Sequence, residues 1–370
     1  MTRTPITTPE ILLLQNLCNA FGPMGCEDAA AQIIRDDLNK NCLFDRVETD
    51  LNGNVLAWIC ADITKAEHTN KADLLVCAHM DEVGFMITNI DDSGYIRFGT
   101  VGSIDSRVLC GRRVTLGNEL TESYVTGIIC SKPVHLMSDS DRANPTPIDK
   151  MYIDIGAKDK KEAEELLQIG DFGTFAANFS ALTIDDGFKA PYGRIVSKAI
   201  DDRIGCAVML CALRKLKAEG KRPTKDLCFA FTVGEEGGIK GAAMASYKTR
   251  PEYAVILEST TAADIADVEE TRRVVTLGEG GALSLADNGT LYDIDYVTSI
   301  MKLAESKNIN CQYKRYVSGG NDSSAVQKAA GGVKVAALSC PTRYLHTATT
   351  VADAADYTAM IDLLYAMITD

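Results

Sequence analysis

A basic surplus is missing from this chain. Lys and Arg total 38 against 51 Asp and Glu, a net charge of -13, so the surface lacks the broad positive face that nucleic acid or an anionic membrane would require. Long apolar runs are missing as well. The opening MTRTPITTPEILLLQNLC holds only four strongly apolar residues in succession, Ile11 to Leu14, far short of the ~20 needed for a membrane span, and it does not read as a signal peptide. Cysteines number twelve, but no CxxC pair occurs and most lie inside apolar runs, as do Cys60, Cys77, Cys206 and Cys228. Reduced core thiols in a cytosolic protein are therefore expected, and a thiolate zinc site is not.

A length of 370 residues exceeds one small core and suggests two domains, or one large domain with an insertion. Residues 8–21 and 27–40 read as helices around a GPMG turn, with Thr8 as N-cap, and short strands follow at 46–49 and 54–60. From Asn89 to about Leu182 the texture changes to short β-like runs cut by turn residues, the pattern of a small barrel or sandwich, with one helix at 159–168. That segment has no ligand cluster, its lone His135 reads as structural or exposed, and an insertion of this kind shapes substrate access or assembly.

Chemistry is concentrated where apolar runs end. The run LCFAFTVGEEGG is too short for an ordinary helix and reads as a strand buried on both faces, delivering Glu235 and Glu236 at its mouth. Alternatively, the two glutamates begin the next helix and favour its positive end. LLVCAHMD is a strand ending in His79 and Asp81, and residues two apart on a strand point the same way. His79 can thus bind a metal while Asp81 orients its ring; an ordinary polar His–Asp network is the competing account. In SKAIDDRIG, Asp202 suits a helix N-cap, whereas Asp201 stands one residue earlier, where a carboxylate can bridge two cations. YAVILES ends in Glu258, and the strand–helix–strand spacing from Glu236 to Glu258 makes a βαβ unit with both at one sheet edge. Strands at 272–277 and 312–317, a helix at 292–306, the Gly-rich SGGNDSSAVQ and strand VKVAALSC lead to PTRYLH, placing His346 in a loop before an amphipathic final helix.

His79, Asp201, Glu236, Glu258 and His346 are the candidate ligands. Five N/O donors with one bridging carboxylate suit two divalent ions, Zn or Co foremost and Mn also admissible, about 3.5–4 Å apart. Glu235, left unliganded beside a shared water, can accept its proton and pass it to a leaving amine. Metal-assisted amide hydrolysis is the chemistry implied.

AHMDEVGF, KAIDDRIG, TVGEEGGIKGA, SGGNDSSA and PTRYLH, in this order, resemble the glutamyl and tetrahedral (TET) aminopeptidase family, some of whose members are labelled cellulase M. The resemblance runs from GPMGCE to the last helix. It implies an α/β catalytic domain of the zinc-exopeptidase type, a mixed, largely parallel sheet covered by helices, at residues 1–86 and 183–370. Residues 87–182 become an inserted β-barrel used for dimerisation, and some members assemble into dodecamers. It also implies metal ligation by His79, Asp201, Glu236, Glu258 and His346, Asp201 bridging, with Glu235 as general base and Asp81 supporting His79. Two departures stand out: Glu258 where the family commonly has Asp, and GGNDS where it commonly has GGTDA, the latter bearing on substrate contacts through Asp322. A cytoplasmic, homo-oligomeric metallo-aminopeptidase acting on peptides is the expectation. A carboxypeptidase or deacylase on the same scaffold and a metal-binding scaffold without turnover are the alternatives. A cysteine hydrolase lacks its signature, and a glycosidase would leave both histidines unexplained.

Overall fold

The structure is a computed structural model that describes residues 8–65, 70–118, 123–182 and 193–370. Residues 183–192, just past the expected end of the insertion, lie outside the described residues.

Four parallel strands form the middle of the large sheet, in the order Leu227–Thr232, Leu74–His79, Tyr253–Thr261, Lys334–Arg343. The first two of these are buried at every position. That explains their unbroken apolar sequence, because helices cover both faces and no solvated side remains to impose alternation. Antiparallel strands extend the sheet on either side, Arg46–Thr49 and Val55–Ile59 at one end and Thr350–Asp353, Arg194–Ser197 and Ser180–Leu182 at the other. Helix Ile200–Glu219 is buried over most of its length; it packs on strands Leu74–His79 and Tyr253–Thr261 and is itself enclosed by helices Pro9–Asn19, Asp28–Asn41 and Ala354–Thr369. Helix Gly241–Thr249 covers strands Leu227–Thr232 and Leu74–His79. Thr8 caps the first helix as expected, its hydroxyl accepting from the Ile11 N–H.

Six antiparallel strands close into a barrel, in the order Gly84–Ile90, Ile96–Val101, Tyr152–Asp154, Ser123–Cys130, Arg113–Asn118, Phe172–Phe175. Its core is centred on Phe85, whose ring stands edge-on to Phe98 and Phe175 at 5.4 and 5.2 Å. Barrel strands span 84–175, against the 87–182 read from the pattern; Ser180–Leu182 already pairs with Arg194–Ser197 of the large sheet. His135 is exposed.

Some expected elements differ. Residues 272–277 form no strand: the N–H groups of Val274 and Val275 donate to the Ala262 carbonyl, and that of Thr276 to the Gln312 side chain, so this backbone is satisfied by a loop and a side chain instead of a ladder. The ladder forms later, at Gly281–Leu283, beside Cys311–Tyr313. The helix expected at 159–168 is a single short stretch, Lys160–Glu164, capped by Asp159.

Candidate metal centre

Parallel pairing decides where the ligand-type residues meet. In the register of the two central strands Thr232 stands beside His79. The chain therefore leaves both strands at the same edge, carrying Glu235 and Glu236 over His79. Tyr253–Thr261 lies on the other side of the His79 strand and presents Glu258 from within, since this strand continues three residues beyond Glu258. Asp201 arrives by a different device. Ala199 has φ 54, and Asp201 and Asp202 have non-helical dihedrals, so the bridging candidate is presented before the regular helix begins. Asp202 does act as a cap, accepting the Gly205 N–H at 3.1 Å, and its second oxygen accepts the His79 N–H at 3.3 Å. Residue 205 is glycine because a Cβ there would lie 2.5 Å from the Asp202 carboxylate.

Asp201 divides its oxygens between the two histidines. Oδ1 lies 3.5 Å from His79 Nε2, and Oδ2 lies 3.1 Å from His346 Nε2. Glu258 Oε2 is 3.8 Å from His79 Nε2, and Glu236 Oε1 is 3.2 Å from His346 Nε2. The other ring nitrogens are held by main-chain oxygens: His79 Nδ1 by Asp81 O at 3.0 Å, with the Asp81 carboxylate 3.4 Å away, and His346 Nδ1 by Ser103 O at 2.8 Å. Asp81 also accepts the backbone N–H groups of Glu235 and Glu236, one on each oxygen, at 3.1 and 3.0 Å. Asp81 thus fixes the His79 ring through its main-chain oxygen and the path of both glutamates through its carboxylate.

The electrostatics are those of a cation site. Burial alone would lower His79 and His346, but the surrounding carboxylates override it, lifting His79 well above its ordinary value and His346 to about 11. Asp201 is held far below the usual carboxylate range, because the two histidines outweigh its burial. Burial raises Glu258 and Glu236, and it lifts Glu235 to about 8, with Asp322, Glu236 and Asp201 adding to the effect. Glu258 Oε1 is buried without a hydrogen-bond partner, and Asp201 Oδ1 and Glu236 Oε1 have only the histidine rings beside them. Unpaired buried carboxylate oxygens are costly unless a cation satisfies them, and two imidazoles with several carboxylates form a donor set suited to divalent Zn-like ions. Donor atoms of His79, Asp201 and Glu236 lie within 4.8 Å of one another, as do those of His79, Asp202 and Glu258. The residues present fit divalent metal binding. Asp202, however, already spends its oxygens on two N–H groups.

All seven residues singled out in the sequence gather at this edge. Sequence reasoning missed the Ser103 carbonyl, which comes from the barrel and has no side-chain signature, and the cap role of Asp202 extends to the His79 backbone. Asp322 is buried beneath the centre, accepting from the Thr232 hydroxyl at 2.9 Å with its other oxygen unpartnered, and burial lifts it to about 6.

The chain is 30% identical over 353 residues to the lysyl aminopeptidase of Pyrococcus furiosus, covering 95% of this chain and 92% of that one. Among solved structures, a TET aminopeptidase from a marine-sediment Thaumarchaeota archaeon superposes with a TM-score of 0.88 at 28% identity, over 97% of this chain and 96% of that one. The Pyrococcus horikoshii TET1 peptidase, which assembles into a tetrahedron or a large octahedral shell, gives 0.82 at 30% identity, covering 98% and 99%. With residues 60–363 matching the family model of the M42 glutamyl aminopeptidases, the chain belongs to that family of peptidases.

Proposed function

We propose that this aminopeptidase works with two divalent cations, Zn or Co foremost, and that Glu235 is its general base. The observation that carries the proposal is the division of Asp201 between His79 and His346, one oxygen to each. His79 and Glu258 would hold one cation, His346 and Glu236 the other, with Asp201 shared. When bound, the cations supply Lewis-acid polarisation of the scissile carbonyl and acidify water. Glu235 then takes the proton of the attacking water and hands it to the leaving amine. Its backbone is pinned by Asp81, and its carboxyl, free of ligand duty, is lifted by burial toward the neutral range. Positive charge arriving with the cations brings it back toward ionised, as a base requires.

Peptides with a free N-terminus are the substrate class, and twelve free thiols favour a cytosolic setting. We further infer assembly through the barrel, which exposes Tyr95, Tyr124, Ile128, Val134, Leu136 and Ile169; the shell-forming TET1 relative supports this.

Glu235→Gln keeps the size of the side chain but cannot take a proton at neutral pH. It should lower kcat by about 10² to 10⁴ with metal content near wild type, whereas Glu236→Gln should lose metal first. Near-normal turnover in Glu235→Gln would end the proposed mechanism. Equal cleavage of N-acetylated peptides would move the function to a deacylase or carboxypeptidase.

A further inference from the structure

Beside the ligand-bearing edge lies a buried ion pair with no part in the chemistry above. Lys198 donates to Glu82 Oε1 at 2.5 Å and to the Ala20 carbonyl at 2.9 Å, and Glu82 Oε2 accepts the Thr174 hydroxyl at 2.7 Å. Lys198, Glu82 and Thr174 are 4%, 1% and 2% exposed. Two full charges have been withdrawn from water here, and an apolar pair of equal volume is often as stable or more so. Stability alone therefore does not account for them.

Their positions do. Glu82 directly follows Asp81, the residue that orients His79 and pins Glu235 and Glu236. Its own N–H donates to the Gly22 carbonyl at 3.0 Å. Lys198 stands three residues before Asp201, on the short stretch that turns at Ala199 and throws Asp201 to the sheet edge. The ion pair thus ties the His79 segment to the Asp201 segment across a gap in sequence from 82 to 198. Thr174 belongs to barrel strand Phe172–Phe175, so the barrel closes the same cluster. A void of about 10 Å³, room for roughly one water, is lined by Glu82 together with Asp201, Glu236 and His346, and puts the pair next to the ligands.

We propose that Lys198 and Glu82 are positioning residues that set the distance between Asp201 and His79, with Thr174 holding Glu82 from the barrel side. The inference rests on the two-cation centre proposed above. A loosened Asp201–His79 spacing leaves the ligands in place but alters their coordination geometry and the aim of the shared water. Binding of the remainder of the peptide is unaffected.

The test uses the full chain in four forms: wild type, Glu82→Gln, Lys198→Met and the double variant. Each single variant strands one buried charge and lowers the melting temperature. The double variant removes both charges and recovers most of the melting temperature. Every variant is expected to lose about 10- to 100-fold in kcat at little-changed KM, and to shift the visible absorption of the cobalt-loaded protein, with no recovery in the double variant. A double variant that regains wild-type kcat and cobalt spectrum along with its stability would reduce the pair to a structural role and overturn the proposal. If a single variant fails to fold, the double variant carries the comparison. Wild-type protein without peptidase turnover would sink the proposed mechanism, while the cobalt spectra of the variants would still decide whether the pair positions the ligands.

Discussion

The α/β body and the barrel contribute to the centre in different currencies. From the body come side chains: His79, Glu236, Glu258 and His346 converge because parallel strands leave the sheet at one edge, and Asp201 joins them from the turn at Ala199. From the barrel come no ligand side chains; it supplies the Ser103 carbonyl to the His346 ring and places the backbone of Gly102 against Glu236. A module can therefore contribute none of the candidate ligands and still fix the geometry of the site through its main chain. Its removal should disturb chemistry as well as assembly.

The largest expected effect falls on the body side. His346→Ala should lose about one metal per chain and nearly all activity, measured by metal analysis and peptide turnover. Two tightly held metals in that variant would take His346 out of the centre. A smaller effect, about 10-fold in activity, is expected from the barrel side in Gly102→Ala. Gly102 has φ +79, and a Cβ there would lie 2.7 Å from Val83 Cγ1 and 3.0 Å from Glu236 Oε2, so the change at once strains the backbone and crowds the candidate ligand Glu236. If Gly102→Ala keeps wild-type turnover and metal affinity, the barrel is a passive appendage and the contrast collapses.

The same contrast explains what the sequence disclosed. Strand ends bearing His79, Glu236 and Glu258 are visible because a buried strand writes itself as an apolar run and its chemistry follows immediately. The βαβ spacing then predicts a shared edge, which the register confirms. Asp202 was legible as a cap from its place before a helix, but its second bond to the His79 N–H spans 123 positions and leaves no local pattern. Ser103 was illegible for a deeper reason: a carbonyl is common to every residue, so no residue type signals its use. Residues 272–277 looked like a strand because Val274 and Val275 are β-formers, yet their N–H groups found partners in the Ala262 carbonyl rather than in a neighbouring strand. Propensity describes the residue; the ladder depends on what lies beside it.

The smallest effects sharpen the comparison through two acid–arginine pairs of similar chemistry. In the body, Arg343 grips Asp264 through Nε and Nη2 at 2.6 and 2.8 Å, joining the end of strand Lys334–Arg343 to the loop after Tyr253–Thr261, with the Leu277 N–H on the same carboxylate. In the barrel, Arg107 contacts Asp105 only two residues away, with Nε–Oδ1 at 3.0 Å and both side chains exposed. Both carboxyls are depressed: Asp264, against its burial, by Arg343 and the Leu277 N–H, and Asp105 to about 2 by Arg107. The first depression rests on a contact that unfolding breaks, since residues 264 and 343 then separate, whereas the Asp105–Arg107 pair is exposed, screened by solvent and local in sequence, and contributes little. A lowered folded-state pKa contributes stability that is present above the ordinary Asp value of ~3.9 and is lost as pH falls through the depressed one. Asp264→Asn should therefore cost about 1 kcal/mol at pH 7, with its urea midpoint converging on wild type as the pH falls below ~3.9. Asp105→Asn should leave the midpoint unchanged at every pH. An equal loss in both variants would mean that the depressed carboxyl itself, and not the closure of a long loop by a buried contact, carries the stability.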